Sequence, residues 1–142
     1  MRRAAVALSI VATLIASIAS GVPSHGARAA VPDGIWLFAD KLAIRAFDCG
    51  GLLCGQVVWL RDPVLRTRTV CGRTTIWGLH PTGPGQWSGG WLYDPENGKT
   101  YNVSAELTSR DVMTARVYEG LRIFGRTEVL RRISAGSLEG WC

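Results

Sequence analysis

From Val31 onward the chain is a series of apolar runs five to eight residues long, broken by Gly, Pro, Asp and Asn. No window repeats apolar residues at the three-and-four spacing of an amphipathic helix, so the pattern is that of an all-β domain. The candidate strands are Ile35–Phe38, Leu42–Phe47, Leu53–Leu60, Thr74–His80, Gln86–Tyr93, Thr100–Leu107, Val112–Tyr118 and Arg126–Ile133. Turn chemistry that suits antiparallel neighbours separates most of them: Asp48–Leu52, Pro81–Gly85, Asp94–Gly98, Ser109–Asp111 and Glu119–Gly125, with Asn97 and Gly98 the strongest hairpin signal. Eight strands in a meander can close on themselves and remove their exposed edges, and eight is the size at which the interior just holds packed side chains or one small ligand. The expected fold is therefore a closed up-and-down barrel. A two-sheet sandwich is the alternative, because alternation along a strand looks the same in both.

Within the strands the alternation resolves into faces, as in Tyr101, Val103, Ala105 and Leu107 against Asn102, Ser104 and Glu106, one buried and one wet. Leu53–Leu60 is apolar on both sides, Val57 and Trp59 on one and Val58 and Leu60 on the other, so this strand is covered on both faces or edges a partner surface. Pro63 to Arg73 is the least regular stretch; with Arg61, Arg66, Arg68 and Arg73 and few apolar anchors it reads as a mobile, solvated crossing loop.

The N-terminus is a different kind of sequence. Met1, Arg2 and Arg3 precede an uncharged run from Ala4 to Ala19 and then Gly21, Val22 and Pro23, the layout of a secretory signal peptide. Small-x-small cleavage sites lie at Ser17, Ile18, Ala19 and at Ala27, Arg28, Ala29, and the second is preferred because it sits just before the first strand. The division is thus 1–30, removed, and 31–142, a single domain. No second apolar stretch approaches the roughly 18 residues that a membrane span needs. Removal of Arg2, Arg3 and Arg28 leaves 13 basic against 11 acidic residues, a net charge of +2, which argues against a nucleic-acid partner. In the oxidising compartment that export implies, Cys49, Cys54, Cys71 and Cys142 are disulfide partners before they are metal ligands. The short Gly50–Leu53 spacer lets Cys49 reach Cys54 across a hairpin, leaving Cys71 for Cys142.

The block Trp87, Ser88, Gly89, Gly90, Trp91, Leu92, Tyr93, Asp94, Pro95, Glu96, Asn97, Gly98, Lys99, Thr100, Tyr101 resembles the signature of an exported bacterial family catalogued as domain of unknown function 2147. Gly34, Ile35, Trp36, the run Cys54 to Leu60 and Gly120 extend the resemblance over about Pro32 to Arg132. The end of the chain departs from the family, which shows an aromatic and an Arg where this sequence runs Val129, Leu130, Arg131, Arg132 and on to Trp141 and Cys142. The resemblance implies a small exported β-domain and brings no established activity. Gly34 and Trp36, with Arg131 or its neighbour Arg132 on the last strand, are also similar to the closing device of lipocalin-type barrels; Arg131 is the choice made here.

The residues of the block have structural uses. Gly89 and Gly90 let the strand bend or make room for a ring, Asp94, Asn97 and Gly98 build the turn, and Tyr93 and Tyr101 flank it so that their rings can meet. The functional reading of the same residues is that Trp87, Trp91, Tyr93 and Tyr101 line the mouth of a cavity. Catalysis has thin support: His80 is the one imidazole past the leader, in a turn-like stretch; Asp48 and Asp94 are explained by turns, and Glu96 lies beside one; no cofactor or metal motif is present. Two non-enzymatic classes remain. A carrier of a small apolar or aromatic ligand needs unfilled interior volume, whereas an envelope protein acting on a protein partner through its outer surface needs a packed interior and an exposed apolar patch. A net charge of +2 disfavours an inhibitor of cationic wall-cleaving enzymes.

Overall fold

A computed structural model describes residues 31–66 and 70–142. The expected signal peptide, 1–30, lies outside the described residues. The eight strands are β1 (Gly34–Phe38), β2 (Leu42–Asp48), β3 (Leu53–Leu60), β4 (Thr74–Gly83), β5 (Gln86–Asp94), β6 (Lys99–Ser109), β7 (Val112–Tyr118) and β8 (Arg126–Ile133). Each pairs antiparallel with its chain neighbour, and β1 pairs with β8, giving a closed up-and-down barrel rather than a sandwich. The hairpins form where short polar side chains serve the backbone. Asp48 accepts from the N–H groups of Gly50 and Gly51, and Asp94 from the N–H of Glu96 and the amide of Asn97, while the Gly98 N–H donates to the Asp94 carbonyl.

One boundary differs by more than the others. The sequence places a turn at Pro81–Gly85, but β4 runs on to Gly83, with His80 opposite Ser88 and Pro81 opposite Trp87. β3 stops pairing with β4 at Leu79, so the N–H that Pro81 lacks would have had no ladder partner.

The interior is one apolar cluster containing Trp36, Ile44, Leu53, Leu79, Trp87 and Val103. A second, smaller cluster of Val57, Leu60 and Val70 lies under the β3–β4 connection. It corrects the expected faces of β3. A bulge between Ala43 and Ile44 sets Ala43 opposite Trp59 but Ile44 opposite Val57, so Val58 is skipped and Val57 and Trp59 fall on opposite faces. Val57 packs with Leu60 instead. The described parts of the connection hold more regular structure than its composition implies. Asp62 caps a short 3-10 turn, Pro63–Leu65, Val70 is buried, and the Gly72 N–H donates to the Val57 carbonyl.

The chain end covers the outer face of β2 and β3. The indole N–H of Trp59 donates to the Glu139 carbonyl at 2.7 Å, and the Cys142 N–H donates to the Val58 carbonyl at 2.8 Å. Trp59 and Ala43 are consequently buried although both point outward from the barrel. The disulfides are Cys49–Cys54, across the β2–β3 hairpin, and Cys71–Cys142, which closes a loop of 71 residues and anchors this tail.

The barrel is plugged at the end where β1 begins. Trp36, fully buried, donates its indole N–H to the Pro32 carbonyl, and the Arg132 guanidinium lies 4.4 Å from the centre of its ring. Arg132 also donates to the carbonyls of Asp33 and Arg110. The plug is therefore Arg132 and not Arg131. β8 faces Trp36 with Arg132 in register, inward like Leu130, whereas Arg131 stands opposite Leu37 and is exposed. Gly34 suits the place beside it because its φ is 142°, a conformation that residues with side chains rarely adopt, and a Cβ there would also press on the Arg132 guanidinium.

Two stability measurements check this account. In denaturant unfolding, Arg132→Ala should cost about 2–3 kcal/mol while Arg131→Ala stays within about 0.5. Replacing both Cys71 and Cys142 by Ala should cost about 4 kcal/mol on the chain-entropy model, with Trp59 becoming solvent-exposed by fluorescence quenching.

Candidate functional site

The barrel interior leaves little room for a guest. The void at its centre, lined by Ile44, Leu53, Leu79, Met113, Ala115 and Leu130, has a volume of about 30 Å³. A cavity that takes up benzene measures about 150 Å³. Trp36 and Trp87 supply much of the filling, both almost wholly buried.

Nor do the four aromatic residues named from the sequence share a wall. Trp87 is in the core, and Tyr101 packs against it from opposite Leu92. Trp91, 45% exposed, pairs with Trp77 and Asn102 on the outer face, and Tyr93, opposite Thr100, carries the Arg73 guanidinium over its ring at 5.0 Å. Tyr93 and Tyr101 are thus on opposite faces and do not meet across the hairpin. The Tyr101 hydroxyl instead accepts from the amide of Asn97, which ties the turn to the barrel rim.

The larger opening is on the outside. A groove of about 610 Å³ runs over β5, β6 and β7, with Ser88, Ser104, Glu106, Tyr118 and Arg122 prominent in its lining. It exists because β5 is bulged. Register shifts between Trp87 and Gly90, so two residues, Ser88 and Gly89, stand against the single Ser104 on β6, one residue more than regular pairing allows. Gly89 sits at φ 72°, in the left-handed region, where a bulge takes glycine. At Gly90 a Cβ would collide with the Leu79 side chain and with the Trp77 carbonyl, so the glycine pair both bends the strand and lets β4 approach.

On the floor of this groove Ser104 is 5% exposed, and its hydroxyl has no hydrogen-bond partner among the described residues. A buried unpaired hydroxyl costs about 1–3 kcal/mol, which makes it an exception to explain. Sequence reading put Ser104 on a wet face and singled out neither it nor Glu106 nor Arg122. The signal that finds them is the bulge, and a glycine pair alone does not fix where a bulge falls.

The far wall is a 3-10 turn, Arg122–Phe124, between β7 and β8. Arg116, pointing outward from β7, holds it rigidly by donating to the carbonyls of Arg122 and Ile123 and to the Thr127 hydroxyl. The turn presents apolar side chains to solvent: Leu121 is 64% exposed, Ile123 74% and Phe124 79%. His80 lies exposed on β4, and among the described residues no three His, Cys, Asp or Glu side chains are placed to hold a metal ion. No helix among them is long and apolar enough to cross a membrane.

The model of a family described as an uncharacterized protein conserved in bacteria (DUF2147) matches residues 34–132. No curated protein matches the chain. Among solved structures, a Helicobacter pylori protein described as belonging to the lipocalin family is similar in fold, with a TM-score of 0.59 and 19% sequence identity, over 72% of this chain and 83% of that one.

The glycine geometry can be checked by stability. Gly90→Ala should destabilise by about 2 kcal/mol or more through overpacking against Leu79, whereas Ser88→Ala, at the bulge but free of such a clash, should change unfolding by less than about 0.5.

Proposed function

The chain belongs to the DUF2147 family, and we propose that it is an exported, non-catalytic protein of the bacterial envelope that binds a small ligand in the groove over β5–β7. A lipocalin-like barrel is a fold that carries small ligands, but here the interior is filled and the guest site moves outside. The groove's volume lies in the usual range of ligand sites. The observation that carries the reading is the unpartnered, buried Ser104 hydroxyl on the groove floor. Nearly all buried side-chain polar atoms in native structures have a partner, so this hydroxyl, beside the groove, is an exception that asks for an explanation. The ligand is polar, in place of the apolar or aromatic guest expected from the sequence, because the lining is mostly hydroxyl, amide and charged groups. The non-catalytic reading is supported by the lining, which offers one carboxylate, Glu106, and no imidazole. Export is supported by the two disulfides and by the Met1–Ala30 layout.

A second reading, contact with an envelope protein, is favoured by the exposed side chains of Leu121, Ile123 and Phe124 on their braced turn.

Native mass spectrometry of protein purified from its own host distinguishes the two. A discrete small mass that dissociates on denaturation is expected; a second polypeptide lost on Phe124→Asp would favour the protein partner instead. Ser104→Ala provides the companion test. It should raise stability by about 1 kcal/mol, by removing an unpaired hydroxyl, while lowering the fraction of protein that carries the small mass. A change in stability with no change in occupancy would sink the ligand reading.

A further inference from the structure

The most exposed apolar side chains of the barrel are gathered at one end. Among the described residues the four most exposed large ones are Val64, at 77%, and Leu121, Ile123 and Phe124 of the braced turn. Val64 belongs to the connection between β3 and β4, the other three to the connection between β7 and β8. In an up-and-down barrel alternate connections emerge at the same end, so both lie at the end opposite the Trp36–Arg132 plug. They are also four strands apart in a ring of eight, on opposite sides of the rim. At about 4.8 Å per strand that is roughly 19 Å around the wall. Exposed apolar residues scattered singly over a surface need no explanation, but the four most exposed at one end do.

Both tips are held out rigidly. The Asp62 side chain accepts from the Val64 N–H at 2.9 Å and the Arg66 guanidinium donates to the Leu60 carbonyl at 2.7 Å, which fixes the 3-10 turn beyond β3. On the far side of the rim Arg116 holds the Arg122 and Ile123 carbonyls, and Gly125 lets the turn lie close, since a Cβ there would collide with the Val117 carbonyl. Tips braced in this way do not fold over to hide their side chains from water. The charge is unequal between the two ends as well. By sequence the four connections at this end carry six basic residues against four acidic ones, whereas the three at the plugged end carry one of each. Arg61, Arg66, Arg73 and Arg122 lie in the same two connections as the apolar tips, and Asp62 is spent on its cap.

Two rigid apolar tips that face the same way from opposite sides of a rim touch a plane together, and the cations beside them select a negative one. We infer that this end of the barrel docks on a membrane surface containing anionic lipid. Val64 on one side, and Leu121, Ile123 and Phe124 on the other, enter the boundary between headgroups and acyl chains, while the arginines meet headgroup phosphates. Shallow binding of this kind gains from the apolar area buried and from attraction to anionic lipid, and a guanidinium matches phosphate with its planar fork. The inference does not depend on a ligand in the groove over β5–β7.

The test is partition of the disulfide-intact protein of residues 31–142, which holds the whole closed barrel, onto sedimenting vesicles made of equal parts phosphatidylethanolamine and phosphatidylglycerol. The protein should bind, about fivefold or more weakly with Val64→Gln, about tenfold or more weakly with Phe124→Gln, and undetectably with both. Val129→Gln removes a half-exposed apolar side chain from the barrel wall and should change binding by less than about twofold. Vesicles of phosphatidylcholine alone should bind about tenfold or more weakly. Circular dichroism confirms that the variants fold. Absence of binding by the unsubstituted protein overturns the inference, and so does a Val64→Gln variant that binds as well as it does, because one side of the rim would then suffice. Equal binding to phosphatidylcholine overturns the anionic surface. Absence of vesicle binding together with a second polypeptide that copurifies from the host and is lost on Phe124→Asp would assign the tips to a protein partner instead.

Discussion

The whole barrel depends on how β1 is held to β8. That seam is short, four register pairs from Ile35 with Ile133 to Phe38 with Leu130, and it joins elements from opposite ends of the described chain. Backbone pairing over so few residues is marginal against the entropy of closing so long a loop. Arg132 supplies what the seam lacks. Stacked on a fully buried indole, it reaches the Asp33 carbonyl before β1 and the Arg110 carbonyl in the β6–β7 turn, so one side chain ties three segments to the plug. A lysine would keep the charge but lose the planar fork that stacks and donates in two directions at once.

The same plug decides where a ligand can go. An eight-stranded barrel encloses just enough space for packed side chains or for one small guest, and which it holds depends on residue size. Here Trp36 and Trp87 enter from different strands, with Leu79 and Val103 filling around them. The interior is spent on stability. The larger opening lies instead on the surface, at the β5 bulge, one of several places where the sheet departs from regular pairing.

Much of the fold was legible because it follows from period-two alternation and turn chemistry: all eight strands, the antiparallel order and the closure. The cysteine pairing was legible because a spacer as short as Gly50–Leu53 leaves few choices. The site was much less so. Several misplacements trace to a one-residue slip, whereas the Pro81–Gly85 turn was placed early because β4 runs on to Gly83. The bulge at Ala43/Ile44 reversed the faces of Val57 and Trp59, the alternation of Trp87, Trp91, Tyr93 and Tyr101 was broken by Gly89, and Arg131 and Arg132 differ only in which side of β8 they take. A slip of one residue moves a side chain to the other face of the sheet, and nothing in a local sequence window reports it. Ser104 and Glu106 became visible only once the bulge had its place, and Arg122 once Arg116 was seen to fold the turn back against β7.

Around the groove, three local rules of stable structure are broken together. A glycine takes a left-handed conformation in mid-strand, a hydroxyl is buried without a partner, and a turn is braced by Arg116 so that it keeps three apolar side chains in water. Each departure costs stability, and relief is available: alanine at 104 would remove the unpaired hydroxyl, and polar residues at 123 and 124 would suit the exposed turn. Elsewhere the core is filled, the Asp48 and Asp94 turns are capped and the sheet closes on itself, with left-handed backbone also at Gly78 in β4 and at Ala39 and Asp40 in the β1–β2 turn. What sets the groove apart is that the three kinds of departure coincide there, and such coincidences are where function is expected to offset the cost. On that argument the β5–β7 face, rather than the filled lumen, is the candidate site in this structure.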